Sequence, residues 1–227
     1  MSIKRYSGTA FADVSARKRY DGSKWVDLTV GKRYNGSTWV DLWTSGTTPP
    51  VDPDPPTVQT HTKTYNLSSA QIYWGSGNKD NQSGSVIDLI VGSYNNSKST
   101  TRRTLMFFPL STIRKDISGA EISKVELYLS RRNDSHGVAT SNLYVKYGTY
   151  SSAPSTWTGT DSGNADSGTP TFTRGQSKWI TLNTAIGNGL RDGTVKCLAL
   201  DADTNYSLSA YGRYVRSSTK LRITYKK

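Results

Sequence analysis

The stretch EISKVELYLS at Glu121–Ser130 decides the fold class. Val125, Leu127 and Leu129 alternate with Lys124, Glu126 and Tyr128, a period of two that gives a strand one apolar and one polar face. The C-terminal KLRITYK at Lys220–Lys226 repeats the pattern, setting Leu221, Ile223 and Tyr225 against Lys220, Arg222 and Thr224. Both read as strands half-buried on one face of a sheet. Shorter or two-sided apolar runs follow the same logic at SVIDLIVG (85–92), RTLMFFPL (103–110), SNLYVKYG (141–148), KWITL (178–182), VKCLALDA (195–202) and SAYGRYV (209–215). The one segment that reads as a helix is NTAIGNGLRDG (183–193), weakened by Gly187 and Gly189. Eight or nine strands with Gly, Ser and Asn turns predict an all-β, two-sheet antiparallel sandwich of jelly-roll type over residues 58–227.

Upstream, KRYSGTAFADV, KRYDGSKWVDL and KRYNGSTWVDL begin at residues 4, 18 and 32, a spacing of fourteen. In each, Gly follows Ser, Asp or Asn and supplies the positive φ of a tight turn, so each unit predicts a β-hairpin. Such a hairpin is too small to bury its own aromatics, here Tyr6, Phe11, Tyr20, Trp25, Tyr34 and Trp39. Their cover is expected from symmetry mates or a docking partner, which makes residues 1–43 an attachment or oligomerisation module. Residues 44–57 carry five of the eight prolines and read as an extended spacer.

The chain carries 29 Lys and Arg against 17 Asp and Glu, a net charge of +12, of which residues 58–227 hold +10. That balance draws a polyanion, whether an acidic glycan, an acidic protein surface or nucleic acid. A single cysteine, Cys197, excludes disulfide frameworks and Cys-rich zinc sites. No apolar signal-like segment opens the chain and no long apolar run follows, so neither secretion by the usual route nor a membrane span is expected.

Catalytic types are thin. His61 and His136 stand apart from other ligand types, and the two glutamates, Glu121 and Glu126, are five positions apart in one strand. Odd separation predicts opposite faces, which argues against a glycosidase pair. No enzymatic activity and no cofactor are expected; DADTN (201–205) leaves room for a structural calcium, though turn capping explains it as well. A stronger signal is the mixture of aromatics with Arg, Lys and Asn in turn regions. Tyr73, Trp74, Tyr94, Tyr150, Trp157 and Tyr206, with Arg102 and Arg213, are the expected glycan contacts, since flat rings and planar donors match sugar faces and hydroxyls. Arg103, Arg131, Arg132 and Arg216 add to the expected attraction for a polyanion. Single-stranded nucleic acid could use similar residues but has no motif in its support.

The stretches LIVG (89–92), RTLMFFPLSTI (103–113) and AEISKVELYL (120–129), with Trp157, WITLN and the terminal TKLRITYKK, resemble the DNRLRE-type jelly-roll family. Pro109 stands where that family has Asp. The resemblance implies a jelly-roll domain of surface and polysaccharide-binding proteins. The N-terminal units look like segments at the attachment ends of tailed-bacteriophage fibre and baseplate proteins. Together they imply a non-enzymatic virion accessory protein, of tail or head, that docks on other virion proteins, forms trimers and binds host-surface polysaccharide. A carbohydrate-binding module of a wall-degrading system and a purely structural decoration protein are the alternatives.

Overall fold

The computed structural model describes residues 4–6, 11–13, 18–20, 22–27, 30–44, 58–80, 88–93, 100–133, 138–159, 163–165, 170–201 and 211–227. The chain divides into two units, Met1–Thr57 and Val58–Lys227. Most of the spacer lies outside the described residues.

In the first unit the three repeats form three two-stranded hairpins. Strands β1 (Lys4–Tyr6) and β2 (Phe11–Asp13), β3 (Lys18–Tyr20) and β4 (Trp25–Asp27), and β5 (Val30–Tyr34) and β6 (Trp39–Thr44) pair in turn. The register is the same each time: Tyr6 faces Phe11, Tyr20 faces Trp25 and Tyr34 faces Trp39, while Lys4, Lys18 and Lys32 face Asp13, Asp27 and Asp41. The fourteen-residue spacing thus gives one register three times. Gly36 takes φ +100° at the third turn. Asn35 closes it, its Oδ1 accepting from the Ser37 and Thr38 amides. The Tyr34 and Trp39 rings, 5.5 Å apart, are 53% and 66% exposed.

The second unit is an antiparallel β-sandwich. Its smaller sheet contains β7 (Thr60–Asn66), β11 (Glu121–Ser130), β16 (Ser177–Leu182) and β19 (Lys220–Lys226), in the order β16-β11-β19-β7. The larger sheet contains β8 (Ser69–Trp74), β9 (Asp88–Ser93), β10 (Thr101–Phe107), β13 (Tyr144–Gly148), β14 (Gly163–Asn164), β17 (Cys197–Asp201) and β18 (Gly212–Val215). It runs β14-β13-β17-β10-β9-β18, with β8 on β10. β12 (Thr140–Asn142) and β15 (Thr171–Thr173) pair in a separate two-stranded ladder. Val125, Leu127 and Leu129 of β11 and Leu221 and Ile223 of β19 meet Met106, Leu198, Leu200 and Val145 in the core between the sheets.

The runs that lacked alternation have a physical reason. On β10 and β17, Met106, Leu198 and Leu200 face that core, while Leu105, Phe107, Cys197 and Ala199 form a second cluster on the opposite face with Tyr73 and Trp157. A strand buried on both faces reads as a continuous apolar run.

Two helices accompany the sheets. The expected one is α2 (Thr184–Asp192), opened by Asn183, whose Oδ1 accepts from the Ala185 amide, and closed by Gly193 at φ +85°. Gly187 is required by packing: a Cβ there would lie 2.6 Å from Ile122 Cγ2 and 2.9 Å from Val125 Cγ2. Close approach to β11 offsets the roughly 1 kcal/mol that glycine costs inside a helix. The other, α1 (Leu110–Ile117), was not expected from the sequence. Thr112, Ile113 and Ile117 are β-branched, a weak helical signal, but Ile113 and Ile117, four apart, fall on one face and are fully buried.

Candidate functional site

The outer face of the four-stranded sheet is built by register. One row crosses it as Trp179, Tyr128, Lys220 and Asn66, the next as Thr181, Glu126, Arg222 and Thr64, and a third holds Lys124, Thr224 and Thr62. At about 4.8 Å between strands and about 7 Å between rows, these positions span roughly 14 Å in each direction. Thr62, Thr64, Asn66, Lys124 and Thr181 are exposed, and Tyr128, Trp179, Lys220 and Arg222 half-buried.

The charged and aromatic groups on this face lock each other in place. Arg222 reaches across β11, its Nε donating to Glu126 Oε2 at 2.8 Å, and lays its guanidinium 3.9 Å from the Trp179 ring centroid. Tyr128 tilts against the same ring at 5.2 Å. Lys124 Nζ lies 2.8 Å from the other Glu126 oxygen. Burial opposes ionisation of Glu126, but the hydrogen bonds from Arg222 and Lys124 outweigh it and hold the carboxyl below its ordinary range. A guanidinium stacked on an indole and bonded through Nε keeps its terminal amino groups for a ligand, already oriented. The arrangement offers rings, planar donors and hydroxyls on one face of the sheet.

Glu121 requires a correction. It pairs with Lys226 and Glu126 with Arg222, an even separation along β19, so both glutamates are on the outer face. A bulge between Ile122 and Lys124 inserts one residue and reverses the parity. Their partners are four residues apart, about 13 Å along a strand, against roughly 5–9.5 Å for paired glycosidase carboxyls.

The aromatics singled out from the sequence are placed otherwise. Tyr73 is fully buried, its ring edge-on to Trp157 at 5.5 Å and its hydroxyl donating to Pro154 O at 2.7 Å. Trp157 is 2% exposed, its amide bonded to Gly77 O. Tyr150 and Ala153 pack on the same cluster. Residues 149–159 thus cover the outer face of β10 and β17, and the expected contact role of Tyr73 and Trp157 gives way to a packing role. Trp74 is half-buried under the Arg102 guanidinium, and Arg102 Nε is 3.0 Å from Asp80. Arg213 and Arg132 converge on Asp88 at 2.7 and 2.6 Å. Tyr94 and Tyr206 lie outside the described residues, as does His136. Arg103 and Lys146 share Asp201, so the one described residue of DADTN is held by two cations. Among the described residues no group of three or more His, Cys, Asp or Glu side chains could hold a metal ion. Most of the arginines expected to seek an anion are therefore engaged by carboxylates of the fold itself. No described helix is long and apolar enough to cross a membrane.

Trp179 and Tyr128 lie on strands, outside the turn regions in which the expected contacts fall. The available signal was Tyr128 on the polar side of an alternating strand, an aromatic where solvent-facing residues are otherwise charged.

Burial raises Cys197 to about 11 and both Tyr73 and Tyr214 to about 12. Each group folds in its neutral form, so its contribution to stability is complete below the unfolded values near 9–10 and is lost as pH rises through the folded ones. Urea midpoints measured from pH 8 to 11 should fall above about pH 9, and a thiol reagent at pH 8 should label Cys197 only on unfolding. Midpoints that stay level to pH 11 would contradict this. The chain matches no protein-family model and no curated protein.

Proposed function

We propose that the protein is a non-enzymatic accessory fibre protein of a bacteriophage particle, docked through the repeats of residues 1–43 and binding a host-surface glycan on the outer face of the four-stranded sheet. The observation that carries the reading is the face itself, with Trp179, Tyr128 and Arg222 held together beside the hydroxyls of Thr64, Thr181 and Thr224. Sugar rings stack their C–H faces on aromatics and hydrogen-bond to planar donors. The DNRLRE-type resemblance of residues 60–226 points to the same ligand class. On the docking side, the exposed Tyr34 and Trp39 are the kind of pair a partner or two further copies would cover.

The test is mass spectrometry of particles purified from lysates in which the protein is made. The protein is expected on the particles, and Trp25→Ala with Trp39→Ala should remove it while leaving Val58–Lys227 folded. Absence of the unaltered chain from the particles would sink the proposal, and normal incorporation of the double variant would refute the docking role of the repeats.

A further inference from the structure

We propose a second binding site, for one neutral sugar residue, where the edge formed by β13 and β14 meets the N-terminal end of α2. A pocket of about 290 Å³ opens there, lined by Tyr147, Asn164, Asn183, Ile186, Thr194 and Val195 among others. None of its lining residues belongs to the outer face of the four-stranded sheet, so the inference stands apart from the function proposed above.

The pocket is fastened by backbone. Ala165 N–H donates to Val145 O and Asn183 N–H to Ala165 O, each at 2.8 Å, which ties β14 to β13 and to the entry of α2. At the far end of the helix, Val195 N–H donates to Gly189 O and Lys196 N–H to Gly148 O, setting Thr194 and Val195 in place. Gly163 lets the wall form: a Cβ there would lie 2.6 Å from the Tyr147 hydroxyl and 2.7 Å from its ring carbons. Any side chain at that position would displace the ring.

The chemistry of the lining selects the ligand. Ile186 and Val195 are buried and apolar, Tyr147 is a half-buried ring, and Asn183 and Thr194 are exposed; Asn164 pairs with Lys146, so its side chain lies on the other face of the sheet from Tyr147. Asn183 spends its amide oxygen on the Ala185 N–H at 2.9 Å, which leaves its amino group as a donor. The Thr194 hydroxyl makes only a long contact to Gly189 O at 3.5 Å. No lining residue is charged, so a charged ligand would lose hydration without a counter-charge. Groups that donate and accept together, as hydroxyls do, satisfy the Asn183 amide and the Thr194 hydroxyl at once. An apolar floor and an aromatic wall then take the C–H face of a pyranose. A pocket of about 290 Å³ lies near the lower end of small-ligand sites, which suits a single hexose.

The experiment is an NMR titration of the full chain, isotopically labelled, with glucose, galactose, mannose and N-acetylglucosamine, and with glycerol as the control polyol. At least one of the sugars should shift Tyr147, Asn164 and Thr194 resonances saturably, with glycerol leaving them in place. Thr194→Val, at an exposed position, should weaken that sugar about five-fold, the effect of one hydrogen bond near 1 kcal/mol. Trp179→Ala with Tyr128→Ala should leave it unchanged. No saturable shift with any of the four sugars, equal shifts with glycerol, or loss of the response in the Trp179 and Tyr128 variant would overturn the proposal.

Discussion

Replacing Arg131 with Met should lower the melting temperature of the Val58–Lys227 sandwich by on the order of 10 °C. Arg131 is 3% exposed and follows β11 directly. Its guanidinium donates to the carbonyls of Ala139 at 3.1 Å, Phe172 at 2.5 Å, Val138, and Tyr211 at 3.4 Å. Those carbonyls come from the approach to β12, from β15 and from the approach to β18, so one side chain fastens three segments to the smaller sheet. Met fills similar space and donates nothing. Stranding buried acceptors of a charged donor costs about 3–5 kcal/mol, and for a domain of this size each kcal/mol moves the midpoint by roughly 2–4 °C. Lys keeps the charge but has fewer donors on a single nitrogen, so Arg131→Lys should fall between. Scanning calorimetry of the full chain checks both. A loss under about 2 °C for Arg131→Met would mean that water satisfies these carbonyls and that the guanidinium is not the organiser.

Trp179→Ala with Tyr128→Ala should weaken glycan binding by more than about 100-fold with little loss of stability. Truncating an aromatic at the centre of a contact surface commonly costs about 2 kcal/mol or more, roughly thirty-fold each. The cross-strand pair itself is worth at most about 1 kcal/mol to the sheet. Binding of the full chain to intact bacterial walls, to walls stripped of anionic polymer and to a uronate polymer is the measurement. Trp74→Ala should stay within about two-fold of the unaltered chain. Binding that survives the Trp179 and Tyr128 changes would place any glycan contact elsewhere. Across a salt series the decline should be shallower than the number of Lys and Arg in residues 58–227 suggests, because Asp80, Asp88, Glu126 and Asp201 already hold arginines or lysines in the fold. A steep fall, with equal or tighter binding to DNA, would instead favour a nucleic-acid ligand.

The sequence by itself determined the local periods. Alternation at Glu121–Ser130 and Lys220–Lys226 marked two half-buried strands, and the fourteen-residue repeat wrote the same hairpin register three times. These features depend on contacts between residues near in sequence, or on the parity of a single strand. What covers a face is a different question. Tyr73 and Trp157 are 84 positions apart and become a buried pair only because residues 149–159 fold over β10 and β17. Trp179 and Arg222 come from strands that flank β11, and no spacing announces that they meet. The single bulge before Lys124 put Glu121 and Glu126 on one face against their parity, and burial of Ile113 and Ile117 made a helix of a segment with weak propensity. Tertiary packing decided these points because burial and long-range pairing outweigh local preference, and neither is encoded in the spacing of neighbouring residues.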